Sequence, residues 1–154
     1  VWLGDTCLVS KYHHPQVLDS FNSGKGTILD SGTTDTYLPQ TITSLFENAW
    51  LEQTGRPLLQ KSRAAKYSLL QFQALPELRL VLSNNVTIAV PAAHYMEGAS
   101  VFDSVIESKK SHVLQHRIYT SEPVGAVLGM NSMLNYDILF DTERRRIGFA
   151  RARC

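Results

Sequence analysis

Thr27-Ile28-Leu29-Asp30-Ser31-Gly32-Thr33-Thr34 runs from apolar residues into an acid, a small hydroxyl residue, a glycine and two threonines. Ile28 and Leu29 read as the end of a buried strand, and Asp30-Ser31-Gly32 as a sharp turn. A carboxylate at the end of a buried strand is costly to leave without partners. Gly32 would let the backbone approach it and adopt a positive φ, and Thr33 would bring a hydroxyl within reach. A carboxylate held by hydroxyls at the rim of a core is an arrangement for general acid-base chemistry. The competing reading is a capped turn with ordinary turn residues. For Asp-Ser-Gly alone the turn would win, so the rest of the chain decides.

Immediately after the stretch, Tyr37-Leu38-Pro39 closes the segment, with Pro39 where a first helical turn would begin. Ile42, Leu45, Phe46, Ala49 and Trp50 then recur at helical spacing, which predicts an amphipathic helix from Gln40 to about Gln53, stopped near Thr54-Gly55-Arg56-Pro57. Before the stretch, 1–10 reads as strand, turn and strand around Gly4-Asp5, and 11–25 as a polar loop. The His13-His14 pair in that loop has no further ligand at metal-site spacing, so a solvated loop is the better reading.

Further on, 67–72 reads as a short strand, and 78–82 with 86–90 as a hairpin through Ser83-Asn84-Asn85. A turn or single helical turn follows at 91–95, an ambiguous segment at 97–111 and a strand at 113–119. Val124-Gly125-Ala126-Val127-Leu128-Gly129 is a second apolar run ending in glycine. One or two helical turns at 131–135 lead into a hairpin of 136–140 against 146–150. The Arg144-Arg145-Arg146 cluster beside Asp141 and Glu143 reads as a solvated turn.

The 154 residues are 44% hydrophobic and 19% charged, which fits a single globular domain with a real core. A net charge of +1 gives no reason to expect nucleic acid or an anionic membrane as the main partner. No apolar run reaches the roughly 20 residues of a membrane span. The chain opens on Val1-Trp2-Leu3 without an initiator Met or signal peptide, which reads as a mature fragment or an excised domain. Cys7 and Cys154 lie near the two ends. A bridge between them would be worth roughly 4 kcal/mol in the chain-entropy model; two free thiols are the alternative. Asn85-Val86-Thr87 is an N-glycosylation sequon. Together, the two features lean toward the secretory pathway.

Four blocks in this order and spacing resemble the C-terminal lobe of pepsin-like aspartic proteases. They are Ile28 through Thr34; Tyr37-Leu38-Pro39; Val127-Leu128-Gly129; and Tyr136 through Asp141 with Arg146-Ile147-Gly148-Phe149-Ala150. The Asp-Ser-Gly-Thr-Thr spelling and the ending Ile-Gly-Phe-Ala-Arg-Ala-Arg-Cys look closest to the β-secretase-like, nepenthesin-like and apicomplexan export-type branch. The resemblance implies a mainly β lobe, with barrel-like, orthogonally packed sheets and a few short helices, spanning 1–154 as one domain. It implies that Asp30 is one member of a catalytic dyad. Ser31 would face the opposite lobe, Thr33 would hydrogen-bond the outer carboxylate oxygen, and Gly32 would lie at the loop floor. Thr34 would reach substrate backbone. Val127-Leu128-Gly129 would thread the loop as part of a ψ-shaped motif. In the β-secretase-like members, cysteines matching Cys7 and Cys154 are bridged.

The mechanism so implied needs two carboxylates about 3 Å apart that share a proton, one activating a water and the other protonating the scissile carbonyl. No metal or cofactor enters. This chain carries one Asp-Ser/Thr-Gly only; Asp5, Asp19, Asp35, Asp103, Asp137 and Asp141 lack its context. The expected partners are therefore an N-terminal lobe of the same protease and a peptide or protein substrate. The expected setting is the secretory pathway, endolysosomal or extracellular, with a membrane anchor beyond Cys154 left open. Two alternatives stand beside this: a retroviral-type homodimer giving one Asp per chain, and a non-catalytic pepsin-fold binding or inhibitor protein.

Overall fold

A computed structural model describes residues 1–59, 63–98 and 111–152. Short strands β1 (Trp2–Leu3) and β2 (Thr6–Cys7) form the opening hairpin, followed by helix α1 (Pro15–Asn22). Next come β3 (Thr27–Leu29) and β4 (Thr36–Pro39), a 3-10 turn at Gln40–Ile42, and α2 (Thr43–Thr54). The middle of the chain supplies β5 (Ala65–Tyr67), α3 (Leu69–Gln73), β6 (Leu78–Val81), β7 (Thr87–Val90), α4 (Ala92–Tyr95) and β8 (Met96–Glu97). The end supplies β9 (His112–His116), β10 (Ile118–Glu122), β11 (Ala126–Leu128), α5 (Met130–Met133), β12 (Tyr136–Asp141) and β13 (Arg146–Arg151). The chain is thus mainly β with a few short helices, as the resemblance implied.

Several local expectations need correction. The polar segment 11–25 holds α1, because Pro15 opens a first turn and Val17 and Phe21, four apart, bury on the core. The strand expected at 67–72 ends at Tyr67. Ser68 accepts from the Gln71 amide and the Gln71 side chain accepts from the Ser68 amide, a capping box that starts α3 instead. Pro39 closes β4 rather than opening the helix, which begins as 3-10 and becomes α at Thr43. The strand at 113–119 is two strands that break at Arg117. Ile28 and Leu29 are half-buried, not buried. Most of the ambiguous segment at 97–111 lies outside the described residues.

Helix α2 buries the predicted face. Ile42 and Phe46 are fully buried, and Phe46 stacks on Trp50 at 6.5 Å between ring centroids. Trp50 meets Tyr95 edge-on at 6.2 Å, and the Tyr95 hydroxyl donates to the Pro76 carbonyl at 2.6 Å. Gly55 ends the helix in the left-handed region at φ 65°. The hairpin tip at Asn84 and Asn85 is also left-handed, at φ 59° and 60°, and exposed. Cys7 is half-buried and forms no disulfide among the described residues, while Cys154 lies outside them. The expected bridge is therefore absent from what the structure describes.

Two sheets matter for function. In the central one the order is β10-β4-β11-β3. Strands β3 and β4 are consecutive in the chain, yet β11 lies between them. Val127 pairs in parallel with Ile28 on one side and antiparallel with Tyr37 on the other. Ile118, Leu38, Ala126 and Leu128 fill the core face of this sheet. The second is the ribbon β12-β13. Its Tyr136 and Phe149 meet edge-on, 6.2 Å between ring centroids, and pack against the core, while Leu139, Phe140 and Ile147 are 66%, 53% and 44% exposed.

Candidate active site

The loop 30–35 joins β3 to β4 over the end of β11. The Asp30 amide donates to the Leu128 carbonyl at 3.0 Å and so extends the β3–β11 ladder by one residue. Its carboxylate is met by two donors. The Thr33 hydroxyl donates to Oδ2 at 2.7 Å, and the Gly32 amide donates to Oδ1 at 2.9 Å. The Thr33 hydroxyl first, and the Gly32 amide second, hold the Asp30 carboxyl below the usual carboxylate range.

Gly32 does not take the positive φ expected of it. Its requirement is proximity: a Cβ there would lie 3.2 Å from Asp30 Oδ1. Gly129 is under a much stronger constraint. A Cβ would sit 2.1 Å from the Asp35 carbonyl oxygen and 2.6 Å from that of Thr33. The loop rests on the bare Cα, and the Met130 and Asn131 amides beyond it donate to the Thr33 and Thr34 carbonyls at 2.7 and 3.1 Å. Val127, Leu128 and Gly129 therefore lie against the backbone of β3 and of the loop that carries the candidate carboxylate. Ser31, Gly32 and Thr34 are exposed on its outer side.

Asp35, the next acid along, is committed elsewhere. It is buried, with Oδ2 3.5 Å from Arg117, whose guanidinium also pairs with Glu97 at 2.7 Å. Asp30 thus stands as a carboxylate biased toward its ionised form. The ionised form is the one that can accept a proton.

A model of the xylanase inhibitor C-terminal family matches residues 13–151, nearly the whole chain. The chain belongs to the xylanase inhibitor C-terminal family. It is a C-terminal pepsin-like lobe. A protein of Arabidopsis thaliana named a probable aspartyl protease is 27% identical over 150 residues, which take in 86% of this chain but 30% of that relative. The chain thus spans about 30% of the length of the relative it matches.

In this lobe, sequence reasoning found the loop and the strand beneath it but missed the polar residues between them. Thr36, Asn131 and Ser132 are 0%, 5% and 1% exposed, and all three are hydrogen-bonded to one another or to the backbone. Their only sequence signal is the placement of small polar residues beside apolar runs.

Thr33→Val removes the larger of the two influences on Asp30 and keeps the shape of the side chain. The Asp30 titration, followed through its carboxyl carbon by NMR, is expected to move up toward the ordinary carboxylate range. A depressed carboxyl favours the fold above its unfolded pKa and loses that effect as pH falls through the folded one. The variant should therefore lose stability relative to the parent at neutral pH and converge with it in acid. An Asp30 titration unmoved by the substitution would remove Thr33 from the site.

Proposed function

We propose that this lobe supplies one carboxylate of a two-carboxylate aspartic endopeptidase and that it hydrolyses peptide bonds only when a second lobe brings the other. The observation that carries the reading is Asp30 with one donor on each carboxylate oxygen, on a loop pinned from beneath by β11. A second carboxylate within about 3 Å would force the pair to share a proton. The pair would then titrate as a unit, one member activating water and the other protonating the scissile carbonyl. Ser31 and Thr34, exposed on the outer side of the loop, are in position to meet the partner lobe and the substrate backbone. The exposed tip of the ribbon, Leu139 with the paired Phe140 and Ile147, supports an apolar contact with that lobe.

The test is an assay on peptide substrates at acidic pH, with this chain alone and with the N-terminal part of its full-length protein. Activity is expected only in the combination. Pepstatin-sensitive turnover by the chain alone would overturn the half-site reading.

A second reading has a specific basis, because the family is named for xylanase inhibition. In it the lobe binds a glycoside hydrolase and catalyses nothing. The intact Asp30, Gly32 and Thr33 geometry favours the first reading, since a binding lobe has no need of it. Inhibition of a xylanase by the combined lobes, without peptidase activity, would favour the second.

We also place the protein in the secretory pathway, endolysosomal or extracellular, with Asn85 glycosylated and Cys7 bridged to Cys154. Asn85 is exposed at a hairpin tip, with Thr87 of its sequon also exposed. The intact mass of the chain secreted from eukaryotic cells should show an enzymatically removable glycan and no free thiol. An unmodified mass with two reactive thiols would contradict this placement.

A further inference from the structure

We propose that Asn131 is the positioning residue of the Asp30 loop, and that it works through Thr36, Ser132 and the Arg117 carbonyl. The loop 30–35 has no ladder of its own. Beyond the Asp30 amide, it is held by the Met130 and Asn131 amides on the Thr33 and Thr34 carbonyls, and by the Thr36 amide donating to the Arg117 carbonyl at 3.1 Å. The first two of these depend on where α5 sits. Helix α5 has four residues, far too few to hold itself in place.

The Asn131 side chain supplies what α5 lacks. Its Oδ1 accepts from the Thr36 hydroxyl at 2.6 Å, and its Nδ2 donates to the Arg117 carbonyl at 2.8 Å. A hydroxyl has one hydrogen. With the Thr36 hydrogen given to Asn131, the 2.6 Å contact between Thr36 and Ser132 must be a donation from the Ser132 hydroxyl. The network then has a single direction, Ser132 to Thr36 to Asn131 to Arg117. Its side-chain members are buried and satisfied, a condition under which such a network is rigid.

One residue therefore grips the chain twice, once in the loop and once where β4 begins. The Asn131 backbone holds Thr34, and its side chain holds Thr36 two residues on. The same short helix presents the Met130 amide to Thr33, whose hydroxyl holds the Asp30 carboxylate. The charged pair Asp35–Arg117 lies beside this network, but every group that positions the loop through Asn131 is uncharged.

The inference gains its catalytic meaning from the proposed function, but its test does not pass through peptidase activity. Thr36→Val, Thr36→Ser and Asn131→Leu are made in the full chain and melted. In the folded variants the Asp30 carboxyl is titrated by NMR and exchange of the Asp30 and Thr33 amides is measured. None of the substitutions alters charge. The expected result is that Val at 36 and Leu at 131 move the Asp30 titration upward and speed exchange at both loop amides, relative to amides of the β6–β7 hairpin. Ser at 36, which keeps the hydroxyl, restores both. If Asn131→Leu does not fold, Thr36→Val and its serine rescue decide alone. A lower melting temperature with the Asp30 titration and relative exchange unchanged would make the network a stability element only and overturn the proposal.

Discussion

Gly129→Ala is expected to lower the stability of this lobe by about 3 kcal/mol, the upper part of the ordinary overpacking range, and its melting temperature by roughly 10 °C. The added methyl would stand 2.1 and 2.6 Å from two carbonyl oxygens, those of Asp35 and Thr33. Both belong to backbone, so neither can swing aside as a side-chain end would. Relief requires the loop to lift from β11, which stretches the Met130 and Asn131 amide bonds to Thr33 and Thr34. Gly148→Ala is the control. Its nearest neighbour, the Leu139 Cβ, would lie at an ordinary 3.7 Å. Paired melts of the two variants measure the effect. A Gly129→Ala protein that melts with its parent would show that the loop yields cheaply.

Asp30→Asn in the combined two-lobe protein is expected to cut peptide hydrolysis by about 10²–10⁴-fold, the range that a positioned proton-transfer group contributes. The fold should survive. An asparagine oxygen can still accept from the Gly32 amide, and its NH2 group can donate to the Thr33 hydroxyl once that hydroxyl turns. Only the charge and its proton-transfer capacity are lost. The melting temperature and peptide turnover measured on one preparation separate the two effects. Undiminished turnover would remove Asp30 from the chemistry, whereas a protein without turnover in either form, but with xylanase inhibition in both, would favour the inhibitor reading.

What could be read from the sequence was local, and what escaped it was mostly long-range. The helix over 43–54 and the hairpins at 78–90 and 136–151 follow from periodicity and turn residues that are neighbours in the chain. Segment 15–22 escaped because Val17, Leu18 and Phe21 are the whole apolar face of an eight-residue helix set amid histidines, asparagine and serines. Segment 69–73 escaped because Leu69, Leu70 and Phe72 look strand-like unless Ser68 and Gln71 are read as a cap. The site divides the same way. Asp30, Gly32 and Thr33 signal their contact within four residues. Thr36 and Asn131 are 95 residues apart, and nothing near either one names the other.

The placement of β11 between two strands made long before it has a consequence for how the lobe is made. On a ribosome, β3 and β4 emerge well before β11, the strand that lies between them and pairs with both in the folded sheet. Closing a loop of 95 residues costs about 4 kcal/mol of chain entropy before any contact repays it. Pairing of β11 with β3 and β4 is therefore expected to be a slow step, as non-local strand pairing is in high-contact-order β proteins. A nascent or truncated product ending before Ala126 would expose two adjacent strand edges, the state most prone to pairing with another chain.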